Sequence, residues 1–552
     1  MQPVSGYSQQ KIQHNHGIVT DPSSALQHVG GQYQLNPYDL REQDWRNGAV
    51  VYQVFVDRFA PSADLEKKKH LYGEGTHLKK WTDLPVPGPE NKEIGYWQHE
   101  VDFWGGDLQS LKSKMDYICS DLDIDILYLQ PISTAYSNHK YDTTDYMKVD
   151  PQYGTEEDFQ ELVKAVHDRQ KHLVLDGVFN HLGKRSEEFQ KAQRGEANCE
   201  WFFLGKEYGP DGYKCWSCAP NLVELRLEAP SCQDYFWMRS DSVIASWLKR
   251  GSDGWRLDVA SEIGYNFLRS ITDAAHRHKP GSLIVGEVWA FPSKWNKAMD
   301  GTLSLHNGQV LKAVALGDCP GPTAALSLKD IIEKSSLESM LKCWIVMSNH
   351  DMERLATSVK DVTMRKLALS LAFTIPGSPL IYYGDERGMQ GGDDPANRGT
   401  MQWDELGGDE LSIFSHVKKL IQIRKRLRAL RIGDYTVLHS QKLMAFMRTT
   451  DKVKDTVVVL ANGSDQPVKE MVIVPISDIL GHTQIVDELV GPIENNTRIL
   501  GATICVEIPP KSIKIYSILD ASSPSEMQYK RIPGHFKSLE SEGVFPLANS
   551  LS

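Results

Sequence analysis

Four short apolar runs in this chain end in polar residues that a packed core would reject. They close as Asp176-Gly-Val-Phe-Asn180-His181, Gly254-Trp-Arg256-Leu-Asp258-Val-Ala, Gly286-Glu287-Val-Trp289 and Ser348-Asn349-His350-Asp351. Residues two apart on a strand face the same side, so Arg256 and Asp258 point together. Buried without partners, such charges would cost several kcal/mol each. A lone Asp at a strand end is more often a helix cap than a catalyst, and a lone Glu before Val-Trp says little. Four such ends meeting at one rim are what a catalytic site requires.

Three carboxyl groups so placed suit the cleavage of a glycosidic bond. A retaining mechanism needs an ionised nucleophile and a protonated acid, about 5–5.5 Å apart. Arg256 is expected to lower the pKa of Asp258, which suits a nucleophile. Glu287 lies by Val288 and Trp289, an apolar setting expected to favour the neutral form, which suits the acid. Asp351 would contact sugar hydroxyls and favour an oxocarbenium-like transition state. His139 and Tyr141 are also two apart, and Tyr141 offers a face on which a sugar ring could stack.

Such residues need a frame that gathers strand ends. From residue 49 the chain alternates Val-, Ile- and Leu-rich runs with amphipathic stretches. The runs cover 50–59, 126–132, 172–180, 254–260, 283–289, 299–305, 343–350 and 378–384, and most read as strands buried on both faces. The spacing predicts helices over 107–121, 155–170, 232–249, 265–279 and 361–374, with a start at Thr155 and Asp158 and a stop at Gly251. Eight strand–helix repeats predict an α/β fold, a closed (β/α)8 TIM barrel over residues 48–433. An open doubly wound sheet is the alternative, and the lack of a Gly-rich phosphate loop speaks against it. Two insertions, 61–104 and the subdomain 182–231, follow the first and third strands. That is the face where barrel enzymes place their sites. Residues 434–520 alternate as an antiparallel β-sandwich does. Residues 1–47 form an N-terminal extension, and 521–552 read as a loose tail.

The 552 residues imply two or three domains. With 41% hydrophobic and 24% charged residues, the chain can bury a core without disulfides. A net charge of -11 argues against a nucleic-acid partner, because phosphate contacts need clustered Lys and Arg. No run approaches the roughly 20 apolar residues of a membrane span. Residues 1–45 lack the apolar centre of a secretory signal, so a cytoplasmic address is expected. Cys199, Cys215, Cys218 and Cys232 cluster in the second insertion and could hold a structural zinc. The second close pair of the usual zinc pattern is missing, so reduced thiols are the plainer reading. No thioredoxin-like unit surrounds them to support a redox role.

In order and spacing the four polar blocks resemble the signature regions of the α-amylase family, over about residues 48–520. The resemblance implies a barrel with a small domain after strand three and a C-terminal β-sandwich. It implies Asp258 as nucleophile, Glu287 as acid/base and Asp351 as transition-state stabiliser. It implies Arg256, His181 and His350 as binders of the sugar at the cleavage point, with Asp176 orienting the arginine. Ser137-Asn-His139-Lys-Tyr141-Asp-Thr-Thr-Asp145-Tyr and Asp258-Val-Ala-Ser261-Glu262 resemble the neopullulanase, cyclomaltodextrinase and maltogenic amylase group. Gly392-Asp-Asp394-Pro-Ala-Asn-Arg398 resembles a loop in which the Asp394–Arg398 pair holds a terminal sugar; a helix-capping turn is the other reading.

The departures matter. That group carries an N-terminal β-domain for which residues 1–47 are too short, so its dimerisation and cyclodextrin preference are not carried over. The histidine often found after Gly-Glu-Val-Trp is Ala290, and Ala219-Pro-Asn-Leu222-Val-Glu224 matches only loosely. Both bear on acceptor-side specificity. Asp57-Arg-Phe59-Ala60-Pro-Ser-Ala63 lacks most oxygen ligands of a calcium loop, so neither calcium nor another cofactor is expected.

The expected reaction is retaining hydrolysis of α-1,4 bonds, with α-1,6 bonds left open, through a covalent glucosyl-enzyme intermediate. The substrate class is maltooligosaccharides, starch-type glucans or cyclodextrins. An α-glucosidase or transglycosylase on the same site is the alternative, since loop shape sets whether water or sugar is the acceptor. A non-catalytic barrel protein, like the ancillary subunits of amino-acid transporters, is the remote one. Those lack an intact triad and carry a membrane helix.

Overall fold

The computed structural model describes residues 26–29, 32–92, 94–476, 482–491 and 497–519. Eight short strands close into a barrel: β1 Val51–Val54, β2 Ile126–Leu129, β3 His172–Gly177, β4 Gly254–Leu257, β5 Leu283–Glu287, β6 Gly301–Ser304, β7 Trp344–Ile345 and β8 Ser378–Tyr382. All neighbours run parallel, and β1 completes the ring between β8 and β2. This is the predicted (β/α)8 barrel, and even the weakly patterned sixth run is a strand. The register sets Asp176 opposite Arg256 and Leu257 opposite Gly286. The polar ends of β3, β4 and β5 therefore rise to a common level at the C-terminal rim.

Helix boundaries follow local chemistry. Thr155 and Asp158 each accept a hydrogen bond from the other's backbone N–H, starting the helix Glu156–His167. Gly251 stops Val243–Arg250 at φ +115, a conformation glycine adopts without strain. Two predicted helices are broken. The 107–121 stretch gives Leu108–Lys112 and then a π-helical turn, Tyr117–Asp121. The 232–249 stretch divides into a turn ending at Gln233, a π-helical turn Asp234–Met238, and Val243–Arg250. Adjacent Phe236 and Trp237 are both fully buried, although a regular helix would set them about 100° apart. Ser242 then restarts the helix by accepting from the Ala245 N–H.

After the barrel come β9 Asp434–Val437, β10 Met444–Thr449, β11 Val457–Asn462, β12 Val468–Ile473, β13 His482–Asp487, β14 Arg498–Leu500, β15 Thr503–Ile508 and β16 Ser512–Ile518. They form an antiparallel sheet domain in the order β9-β10-β11-β16-β13-β14-β15-β12. Val457, Val459 and Ala461 join the barrel's core, while Val458 and Leu460 join a second core with Val472, Ile485 and Ile504. Both faces of β11 are covered, which explains its unbroken apolar run. Gly321 opens the helix Gly321–Lys334 against this domain. A Cβ there would stand 2.2 Å from the Met444 nitrogen, so only glycine allows the approach.

The expected tail 521–552 and the first part of the extension lie outside the described residues. The rest of the extension holds a hairpin, Leu26–Val29 with Gln32–Leu35, and the helix Pro37–Gln43. Among the described residues, no helix is long and apolar enough to cross a membrane.

The lower rim of the barrel carries one ionic knot with a testable consequence. The Asp253 carboxylate accepts from His167 Nε2 at 2.8 Å, Lys279 Nζ at 2.8 Å and the Leu173 N–H at 2.8 Å. Burial alone would raise its pKa, but these donors hold it far below the usual carboxylate range. A carboxylate depressed in the folded state stabilises above its unfolded pKa of about 3.9, and the contribution is lost as pH falls below that value. Asp253→Asn should therefore cost about 3 kcal/mol in urea unfolding at pH 7. The difference from the parent should shrink at about pH 3. An equal difference at both values would show that the charge is not what stabilises.

Candidate active site

Arg256, fully buried on β4, is the hub of the site. Its Nη1 donates to both oxygens of Asp176, at 2.8 and 2.9 Å, and to Asp258 Oδ1 at 2.9 Å. Its Nη2 donates to Glu287 Oε2 at 2.6 Å. One guanidinium thus spans Asp258 and Glu287, which places the two carboxyl groups well under a nanometre apart. Asp176 is held in turn by the hydroxyls of Tyr128 at 2.5 Å and Tyr141 at 2.9 Å.

This arrangement overturns one expectation about charge and one about surroundings. Asp258 was expected to have a lowered pKa, and it is raised well above the ordinary value. Burial is the largest cause. Arg256 opposes it, but that cation is shared, and Glu287, Asp176 and Asp351 add negative charge. Glu287 was expected in an apolar setting, yet both its oxygens meet donors. Oε2 accepts from Arg256 and from the Val259 N–H at 3.2 Å, and Oε1 accepts from Trp289 Nε1 at 2.7 Å. Val259 achieves this with a left-handed backbone, φ +46, which is strained for a β-branched residue.

The loop after β7 supplies the second half of the site. Asp351, with 36% of its side chain exposed, meets His350 Nε2 at 3.1 Å and Arg398 Nη2 at 3.3 Å. Arg398 also pairs with Asp394 at 3.1 Å, so the late loop is tied to Asp351 by an ion pair rather than serving as a capping turn. Arg398 Nε holds the His350 carbonyl at 2.9 Å, and Arg58 holds the Arg398 carbonyl at 2.6 Å. His350 Nδ1 meets Gln53 Nε2 at 3.1 Å, and its Nε2 meets the Tyr141 hydroxyl at 2.8 Å. An amide N–H can only donate, so Nδ1 accepts and Nε2 carries the proton. Burial, with Arg398 and Arg256 nearby, pushes the His350 pKa well down.

Tyr141 is not an isolated platform. Its ring lies parallel to His350 at 5.3 Å and near His139 at 5.8 Å, so a sugar would meet a stack of three rings. His139 contacts Glu100 at 3.3 Å. His181 is buried, and burial pushes its pKa down to about 3. Its Nε2 has no hydrogen-bond partner among the described residues, and its ring stacks on Trp216 of the second insertion at 5.3 Å. His181 opens that insertion, where His181–Gly183 pairs with Leu222–Glu224.

All eleven candidate residues thus lie at one rim. Sequence reasoning missed Gln53, Tyr128, Glu100 and Trp216. Gln53, a polar residue within an otherwise apolar strand, was the one readable signal. No such gathering occurs at the cysteines. Cys232 is buried, Cys199 and Cys218 are exposed, and Cys215 lies between. Among the described residues, no group of three or more His, Cys, Asp or Glu side chains is gathered so as to hold a metal ion. The Asp57 carboxylate accepts from Arg58 Nε at 2.6 Å and from the N–H groups of Trp104 and Gly105.

Comparison with known proteins agrees with this geometry. Residues 53–433 match the catalytic-domain model of alpha amylase. A cyclomaltodextrinase of Geobacillus thermopakistaniensis is 31% identical over 511 residues, 88% of this chain and 79% of that protein. Neopullulanase 2 of Thermoactinomyces vulgaris is 32% identical over 77% of this chain and 71% of its own length. A cyclic α-maltosyl-(1→6)-maltose hydrolase from Arthrobacter globiformis, solved with maltose, superposes with a TM-score of 0.70. Its identity is 26%, covering 86% of this chain and all of that one. A barrel of this topology, the polar ends of three strands around one arginine and relatives of this identity lead to one assignment: the chain belongs to the α-amylase family and is an O-glycosyl hydrolase.

Proposed function

We propose that this enzyme hydrolyses α-1,4 glucosidic bonds, and α-1,6 bonds at branch-like links, in maltooligosaccharides and related glucans, with net retention at the anomeric carbon. The observation that carries the reading is the single guanidinium of Arg256 bonded to both Asp258 and Glu287. Retaining enzymes need two carboxyl groups close enough to act on opposite sides of one sugar carbon.

In the first step an Asp258 oxygen attacks that carbon, and the bond to the glycosidic oxygen breaks. Glu287 gives its proton to the leaving oxygen. In the second step water attacks the same carbon, Glu287 takes the water's proton, and Asp258 leaves as a carboxylate. Asp351, His350 and His181 surround the sugar at the cleavage point, and the Asp394–Arg398 pair lies beyond it. Five carboxyl groups against Arg256 and Arg398 favour retention of a proton within the cluster, and the first step consumes one.

Transfer to a sugar acceptor is a second activity of the same site. Trp289, 59% exposed beside Glu287, offers an apolar face to an incoming glucose. A cytoplasmic address fits the intracellular maltogenic amylase of Bacillus subtilis among the relatives.

Proton NMR of the first product from maltotriose should show the α-anomer, and β-product would overturn the retaining mechanism. Pullulan should yield panose or maltose. Glucose as the sole product would point instead to an α-glucosidase.

A further inference from the structure

The first insertion carries two rings that the reading above leaves unused. The turn Gln98–Glu100 sits against the site. Asn138 Nδ2 donates to the His99 carbonyl at 2.7 Å, and the Asn138 N–H donates to the Glu100 carbonyl at 2.8 Å. Glu100 holds His139 through one oxygen and the Trp97 N–H, at 2.6 Å, through the other. The turn is therefore a fixed part of the rim.

Two side chains here are left over: His99 on the turn and Trp97 just before it. His99 Nδ1 is buried yet has no hydrogen-bond partner among the described residues. Of the charged groups that act on His99, Asp394 comes first, ahead of Glu100, Arg398 and His139, and the Glu100–His139 contact ties the turn to the site. Trp97, 50% exposed, lies over His99 with ring centres 6.2 Å apart and planes 28° apart. Burial, ahead of the neighbouring charges, lowers the His99 pKa. The neutral ring can both donate and accept toward hydroxyls.

We propose that His99 and Trp97 form a donor-side binding site for the non-reducing part of a longer α-glucan, one step beyond the Asp394–Arg398 pair. His99 offers Nδ1 to a hydroxyl, and Trp97 lies under the apolar face of the next glucose. A stripe of this kind leads away from the catalytic centre, so it acts only on chains long enough to reach it. The inference rests on the glucan-hydrolase reading and adds to it a preference for chain length.

The test compares kcat/KM on maltohexaose and maltotriose for the parent, Trp97→Ala, Trp97→Phe and His99→Ala. Stacking contributions of this size correspond to about three- to tenfold in binding. The hexaose-to-triose ratio should fall by about that factor in Trp97→Ala and His99→Ala, and Trp97→Phe should restore most of it. On a maltohexaoside labelled at its reducing end, Trp97→Ala should move the cleaved bond toward the non-reducing end, because donor-side modes are weakened. A ratio unchanged from the parent, or cleavage shifted the other way, overturns the assignment. A parent enzyme that cleaves neither substrate would instead overturn the proposed function.

Discussion

Asp258→Asn should lower turnover of maltotriose by on the order of 10⁴-fold or more, because the amide oxygen cannot form the glucosyl ester. The fold should not suffer. Asp258 sits among Glu287, Asp176 and Asp351, and burial together with these neighbours already raises its pKa. Removing that negative charge relieves repulsion, while Arg256 keeps its contacts to Asp176 and Glu287. The melting temperature should therefore match or exceed that of the parent, as expected when a functional charge held at a cost to stability is removed. Turnover within tenfold of the parent would end the case for Asp258 as nucleophile. The raised pKa has a visible counterpart in the parent enzyme. The nucleophile must be ionised, so kcat/KM should begin to fall, as pH decreases, above the ordinary Asp value of about 3.9. The midpoint reports the coupled carboxyl cluster rather than one residue.

Glu287→Gln should lower turnover of maltotriose by about 10²–10⁴-fold, the usual range for a general acid and base. Its signature depends on the leaving group. With α-glucosyl fluoride the first step needs no proton, so one equivalent of fluoride should be released in a burst. Slow turnover should follow, because water now lacks its base. Azide, which attacks without giving up a proton, should speed this second phase and yield an α-glucosyl azide. The absence of both burst and azide rescue would remove Glu287 from the acid/base role. Arg256 and the Val259 N–H hold Glu287 Oε2, and the Trp289 indole holds Oε1. Substrate must therefore displace the exposed partner, Trp289, before the proton can reach the glycosidic oxygen.

Much of this enzyme is legible along the chain. Capping residues at Thr155 and Gly251 act over one helical turn, so their meaning is local and the structure bears it out. The polar ends of β3, β4, β5 and β7 are legible for a related reason, since a closed parallel barrel sends every strand end to the same rim. The π-helical turns at Tyr117–Asp121 and Asp234–Met238 were not legible. The second satisfies the packing of Phe236 and Trp237 against distant neighbours, and nothing within either segment demands the wider turn. Gln53 and Tyr128 became site residues only when the barrel closed, bringing them to His350 and Asp176.

The sequence by itself determined the architecture and the identity of the acidic side chains, because strand and helix periods and strand-end polarity are written in consecutive residues. Tertiary structure alone decided the electrostatics. Asp176 lies 80 positions from Arg256, and Glu287 lies 31. No reading of adjacent residues could reveal that one guanidinium serves three carboxylates. Desolvation and shared partners set a buried group's protonation, and both are properties of the closed barrel rather than of the chain.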